Sequence, residues 1–216
     1  MKMKKFALIL GTLVLALGIT ACSDKTESQQ ASAEVTINKD KKEVIIPAEV
    51  NGKYFTEDTR HGVVFKDGSN GEKSILRGLV DQNKFYDSLI EIGAKPGNNL
   101  TMADMKAAAN EGVPVDGSKL NVFVKWDGSD KEIPFSDIVK ASEEKPMDIR
   151  FGGNIENAKE HNTGCILCLD SCAVGITSNA AYPAGATANK LVKFNANDSV
   201  LPKDGTKVDV IFRLAE

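Results

Sequence analysis

The sequence predicts an α+β domain, predominantly antiparallel sheet with two or three short helices and a cysteine-containing loop. Three observations predict it. Runs of β-branched and aromatic residues alternate with polar ones and end in Gly- and Asp-rich turns. Only a few stretches combine helical spacing with a capping residue. Every cysteine except Cys22 falls in one stretch, Cys165-x2-Cys168-x3-Cys172.

Taken in order, Val35-Thr36-Ile37 and Glu43-Val44-Ile45-Ile46 flank the charged stretch 38–42 and read as a hairpin opening the domain, with Pro47 marking an edge or an end. Residues 61–66 form the next strand, opened by His61 as a strand-end polar residue and closed by Asp67-Gly68-Ser69-Asn70-Gly71. Residues 74–80 follow as another. Asp81 can cap a helix that places Phe85, Leu89 and Ile92 on one face, with Gly93 and Pro96 as the stop. Thr101-Met102-Ala103-Asp104 has the form of a capping box and predicts a second, Ala-rich helix ending near Gly112. Residues 120–126 and 132–135 read as a hairpin turned by Asp127-Gly128-Ser129-Asp130, 137–144 as a short third helix, and 207–214 as a closing strand.

The first residues carry a different signal. Lys2, Lys4 and Lys5 precede the apolar run 6–17, which is shorter than the roughly 20 residues a membrane-spanning helix needs. Ile19-Thr20-Ala21-Cys22 resembles the lipobox of bacterial lipoproteins. The expected organisation is a lipoprotein signal peptide over 1–21, a lipid-anchored flexible tether over 22–34 with Cys22 as the acylated residue, and a single globular domain over 35–216. The tether contains nothing large to bury. The expected location is the extracytoplasmic face of the cell membrane, reached through the N-terminal lipid.

Cleavage after residue 21 removes three lysines and takes the formal charge from −3 to about −6. That acidic balance argues against nucleic acid as a partner. A hydrophobic fraction of 42% supports a real core. Walker, dinucleotide-binding, Gly-x-Ser-x-Gly and His-Glu-x-x-His patterns are all missing from the sequence. Gly152-Gly153-Asn154 and 175–179 read as ordinary turns, and the acids Glu57 and Asp58 as a solvated pair.

The chemistry therefore concentrates in 161–175. His161, Cys165, Cys168 and Cys172 are four donors of the types that bind zinc or an iron–sulfur cluster. On a helix the three sulfurs would lie on one face. The stretch reproduces only the last three cysteines of the ferredoxin run, with Asn162 where the first would stand. In an oxidising compartment a disulfide plus one free thiol is the outcome that location favours, and a reactive thiol or dithiol is a third.

Gly164-Cys165-Ile166-Leu167-Cys168, Ser171-Cys172 and Ala181-Tyr182-Pro183, with Glu91-Ile92-Gly93-Ala94-Lys95-Pro96-Gly97 and Trp126 upstream, resemble the YdjY family of exported bacterial proteins. The resemblance covers most of 35–214. It implies a membrane or respiratory context, a ferredoxin-type association for some members, and Cys165, Cys168 and Cys172 as the residues that matter. The expected function is that of a lipid-anchored accessory protein whose cysteine loop binds a metal or iron–sulfur centre, or acts as a redox dithiol toward an envelope redox partner. The competing expectation is a binding or scaffolding lipoprotein stapled by a structural disulfide.

Overall fold

The computed structural model describes residues 33–109 and 111–215. The expected signal peptide, Cys22 and the expected tether up to residue 32 lie outside the described residues. Strands β1 (Thr36–Asn38), β2 (Glu43–Val50), β3 (His61–Phe65) and β4 (Ser74–Gly78) precede helix α1 (Gln82–Glu91). Then come β5 (Lys119–Lys125), β6 (Ile133–Pro134), β7 (Val139–Ala141), β8 (Ile149–Arg150), helix α2 (Ile155–His161), β9 (Cys165–Cys168), β10 (Thr177–Asn179), β11 (Phe194–Ala196) and β12 (Lys207–Leu214).

The strands run β2-β12-β5-β8-β10-β9-β3-β4, and β4 pairs back onto β2, so eight strands close into a barrel. This corrects the expected α+β sheet. Pairing is mixed, with β3–β4 and β9–β10 parallel and the other ring pairs antiparallel. Alternation in a sequence fixes which face of a strand is buried and says nothing about its neighbour, so closure was invisible until Ala48, Glu49 and Val50 met Gly78, Arg77 and Leu76. Closure also removes the free edges that an open sheet would expose.

The core follows from register. Val44, Ile46 and Ala48 of β2 stand opposite Phe212, Val210 and Val208 of β12, and Phe212 and Val210 stand opposite Val122 and Val124 of β5. All of these are buried on one continuous face. Asp81 accepts from the amides of Asn83 (2.8 Å) and Lys84 (3.4 Å), so the expected cap starts α1 and delivers Phe85 to within 4.6 Å of the Phe212 ring.

The other two expected helices are replaced. Thr101 N and Oγ1 both donate to Asp104 Oδ2 at 2.7 Å, so only the Asp104 half of the expected capping box forms, and only a 3-10 turn over Asp104–Lys106 follows. Its neighbours Met102, Ala103, Ala108 and Ala109 are exposed, and without a buried stripe a short helix does not propagate. Within 137–144 the chain forms the end of the 3-10 turn Phe135–Ile138 and then β7, which pairs with β11 in a separate two-stranded sheet. Helix α2, not expected from the sequence, is joined to α1 by Gln82 Nε2 donating to Ala158 O at 3.0 Å. Among the described residues no helix is long and apolar enough to cross a membrane.

Candidate metal centre

The cysteine stretch is strand and buried turn, not a helix. Cys165, Ile166, Leu167 and Cys168 form β9 and are fully buried. β9 runs antiparallel to β3, with His61 opposite Cys168 and Val64 opposite Cys165. The register is irregular between His61 and Val64, a bulge. In a flat strand residues three apart point to opposite faces, and bulges re-aim side chains.

After β9 the chain returns to lie parallel beside itself as β10, pairing Thr177 with Leu167. A parallel return ordinarily takes a crossover of a dozen or more residues. Here residues 169–176 make it, and they carry Cys172 back toward β9. A turn this deeply buried must satisfy its own backbone. Leu169 N donates to Arg60 O (2.8 Å), Ser171 N to Tyr182 O (3.0 Å) and Ile176 N to Cys165 O (3.0 Å). Asn154 Nδ2 donates to Cys172 O (3.2 Å) and Asn157 Nδ2 to Ala173 O (3.1 Å). Ser171 Oγ accepts from Val115 N (2.9 Å) and donates to Tyr182 O (2.7 Å). Gly175 is required by space: a Cβ there would lie 3.0 Å from Cys168 Sγ and 2.8 Å from Ser178 Oγ. That Ser178 hydroxyl is buried without a hydrogen-bond partner.

The result brings three donors from two distant segments to one point. His61 Nδ1 stands 3.6 Å from Cys165 Sγ and 4.0 Å from Cys168 Sγ, and the three donor atoms all lie within 4.8 Å of one another. With zinc–sulfur bonds near 2.3 Å and zinc–nitrogen bonds near 2.0–2.1 Å, the sulfur–nitrogen edge of a tetrahedral site is about 3.6 Å. The observed spacings fit a single ion. They fit a cubane poorly, because there each thiolate holds a different iron and the sulfurs must stand farther apart. Asn70 Nδ2 donates to Cys165 Sγ at 3.7 Å, a contact that steadies the sulfur.

All three cysteines are free thiols, so the structural disulfide is not formed. Cys172 adjoins Cys168, and the three sulfurs pack with Val64 as one buried cluster. Their acidities diverge. A hydrogen bond from Cys168 pulls Cys165 well below the usual thiol value against the effect of burial, and His61 adds to it. Cys172 is pulled down by its bond from Cys168 and then by the charge of Arg60, again against burial. Cys168 is pushed well up, because hydrogen bonding with Cys165 or Cys172 and then full burial both favour its protonated form.

Arg60 and Asp170 frame the site. Asp170 is fully buried; its Oδ1 accepts from Arg60 Nε (3.0 Å) and Nη2 (2.6 Å), and its Oδ2 from Thr187 Oγ1 (2.7 Å) and N (3.2 Å). Burial opposes the charge on Arg60, and the Cys172 sulfur and Asp170 carboxylate more than restore it.

His161, the histidine expected to join the cysteines, is exposed at the end of α2, and the group of donors contains His61 instead. Sequence proximity pointed to His161. The signal that could have found His61 was a histidine opening an apolar strand, a polar side chain at a position the core would otherwise claim.

Residues 35–213 match the YdjY domain. The uncharacterized protein YdjY of Escherichia coli (strain K12) is 42% identical over 214 residues, which span 94% of this chain and 92% of that relative. No solved structure matches. With a domain match across nearly the whole barrel and a relative of this identity, the chain belongs to the YdjY family.

Proposed function

We propose that this protein is a lipid-anchored, extracytoplasmic accessory protein that holds one transition-metal ion on Cys165, Cys168 and His61, with Cys172 as the adjoining thiol, in support of an envelope redox process. The observation that carries the reading is the convergence of three donors, from β3 and β9, within 4.8 Å in a buried pocket of free thiols. Unpaired buried thiols are unusual for an exported domain, and a metal explains why they are gathered and left unpaired. Anchoring rests on the lipobox-like tetrad ending at Cys22 and on the apolar run before it.

The test is metal analysis of protein prepared without oxygen. About one equivalent per chain is expected, lost when Cys165, Cys168 and Cys172 are replaced together by Ser. Metal-free protein that cannot be loaded overturns the reading. Lipid anchoring is tested separately by labelled fatty-acid incorporation, which must disappear in Cys22→Ser.

One observation favours a second reading. Cys168, held protonated, stands beside two thiols whose acidity is raised, Cys165 and Cys172, and can donate to either, the asymmetry that lets a dithiol close. Loss of two electrons and two protons to an oxidant of the envelope would join Cys168 to one neighbour. Thiol counts falling from three to one under mild oxidation, with full recovery on reduction and no metal uptake, would establish it.

A further inference from the structure

A third segment reaches the thiols. Met105 lies in the stretch 101–112, remote in sequence from β3 and β9, and packs half-buried against the cluster of Val64, Cys165, Cys168 and Cys172. Its thioether sulfur accepts from the amide of Ala173, the residue after Cys172, at 3.2 Å. The stretch around it is solvated, with Thr101, Met102, Ala103 and Lys106 exposed. It is held at its edges by Asn189 Nδ2 donating to Ala107 O (2.9 Å) and by Ala184 N donating to Val113 O (2.9 Å). An exposed stretch thus packs one methionine against the sulfur cluster, its sulfur fixed on the amide next to Cys172.

We infer that Met105 is a soft donor to the same site and that it selects Cu(I) as the ion. The inference rests on the metal reading above. Thiolate and thioether donors together favour Cu(I), whereas zinc draws on thiolate, imidazole and carboxylate and gains nothing from a thioether. His61, Cys165 and Cys168 satisfy a three-coordinate ion, and a methionine from a separate segment is the weak, long additional ligand that copper accepts. None of the three cysteines is more than 1% exposed. The sulfurs are thus enclosed, and only the half-buried His61 reaches toward solvent. An ion that reaches the buried sulfurs must pass beside His61 or beside the Met105 stretch. The stretch that carries Met105 has little buried surface to lose, and its thioether can accompany the ion inward.

The experiment compares the wild-type mature domain with Met105→Leu, which keeps apolar bulk and removes the sulfur. Cu(I), supplied without oxygen, is competed against a Cu(I)-specific chelator, and Zn(II) against a zinc chelator. Met105→Leu should weaken Cu(I) by about 10–100-fold, the usual effect of losing a supporting contact, while zinc affinity changes by less than about threefold. Selenium absorption spectra of selenomethionine-labelled protein bearing Met102→Leu and Met147→Leu should show a selenium–copper shell from Met105. Equal losses for both metals, unchanged Cu(I) affinity, or a missing selenium–copper shell overturns the role of Met105. Wild-type protein that takes zinc and refuses Cu(I) overturns the inference and leaves the metal reading standing, and protein that takes neither ends both.

Discussion

Replacing Asp170 by Ala is the sharpest test of how the thiol pocket is built. The carboxylate is completely buried and holds Arg60 through two bonds, at 3.0 and 2.6 Å, and Thr187 through two more. Its loss strands a guanidinium whose side chain is only 25% exposed, with the sulfurs of Cys172 and Cys168 as the remaining groups that favour its charge. Breaking one side of a buried pair costs about 3–5 kcal/mol, and the partial exposure of Arg60 puts the expectation at the lower end, about 3 kcal/mol. For a domain of this size each kcal/mol moves the melting temperature by roughly 2–4 °C, so a fall of about 6–12 °C is expected in thermal denaturation of the metal-free protein. Arg60→Met combined with Asp170→Leu should recover most of that loss, because an apolar pair leaves no charge stranded. The thiolate ultraviolet absorbance of Asp170→Ala should also persist to lower pH than in wild type, since Arg60 is then shared with no carboxylate. A melting shift below about 2 °C, or a double variant no better than the single, refutes the pairing as the element that holds the pocket.

His61→Ala should weaken metal binding by more than the about 10–100-fold typical of a supporting residue, whereas His161→Ala should leave it unchanged; chelator competition on both variants decides it. Gly175→Ala forces a Cβ against Cys168 Sγ and Ser178 Oγ, and should cost about 1–3 kcal/mol in urea unfolding as well as impair metal loading. The thiols predict a pH optimum for the metal-free fold. Cys165 and Cys172, lowered in the folded state, contribute stability that is present above the unfolded thiol value of about 8.5 and lost as pH falls through their folded values. Cys168, raised, contributes stability that is present below about 8.5 and lost as pH rises through its folded value. The difference in unfolding free energy between wild type and the triple Ser variant should therefore peak near pH 8.5, and a difference that is flat with pH contradicts the shared hydrogen bonds.

What could be read from the sequence divides along the range of the interactions involved. The cap at Asp81, the opening hairpin and the closing strand β12 depend on neighbours a few residues away, and their patterns carried through. The helix expected after Thr101 had a capping box and no apolar stripe, so the local signal had no packing behind it. The sequence predicts a loop where β9 stands because Cys165-Ile166-Leu167-Cys168 shows neither period; a strand buried on both faces is a continuous apolar run. Pairing is the least local property, which is why the β2–β4 closure and the parallel pairs went unread. The site shared that limit: its cysteines stood out by spacing, and its histidine lay more than 100 residues away.

That separation also resolves a difficulty posed by the sequence. Metal sites usually draw their donors from two separated segments rather than one run of 12 residues, and if Cys22 is acylated only three cysteines remain to try. The barrel supplies what the run lacks, because β3 pairs with β9 and brings His61 opposite Cys168, while the short return through 169–176 folds Cys172 back beside it. Donors assembled by strand pairing exist as a group only when the strands are paired. Any ion they hold therefore binds the folded chain in preference to the unfolded one, contributing about 4 kcal/mol at a free concentration of 1,000 Kd. Occupancy and the closure of this side of the barrel are thus one equilibrium. Reagents that strip the ion should loosen β9 and β10 before they loosen β2, β5 and β12, an order that hydrogen exchange of the strand amides can resolve.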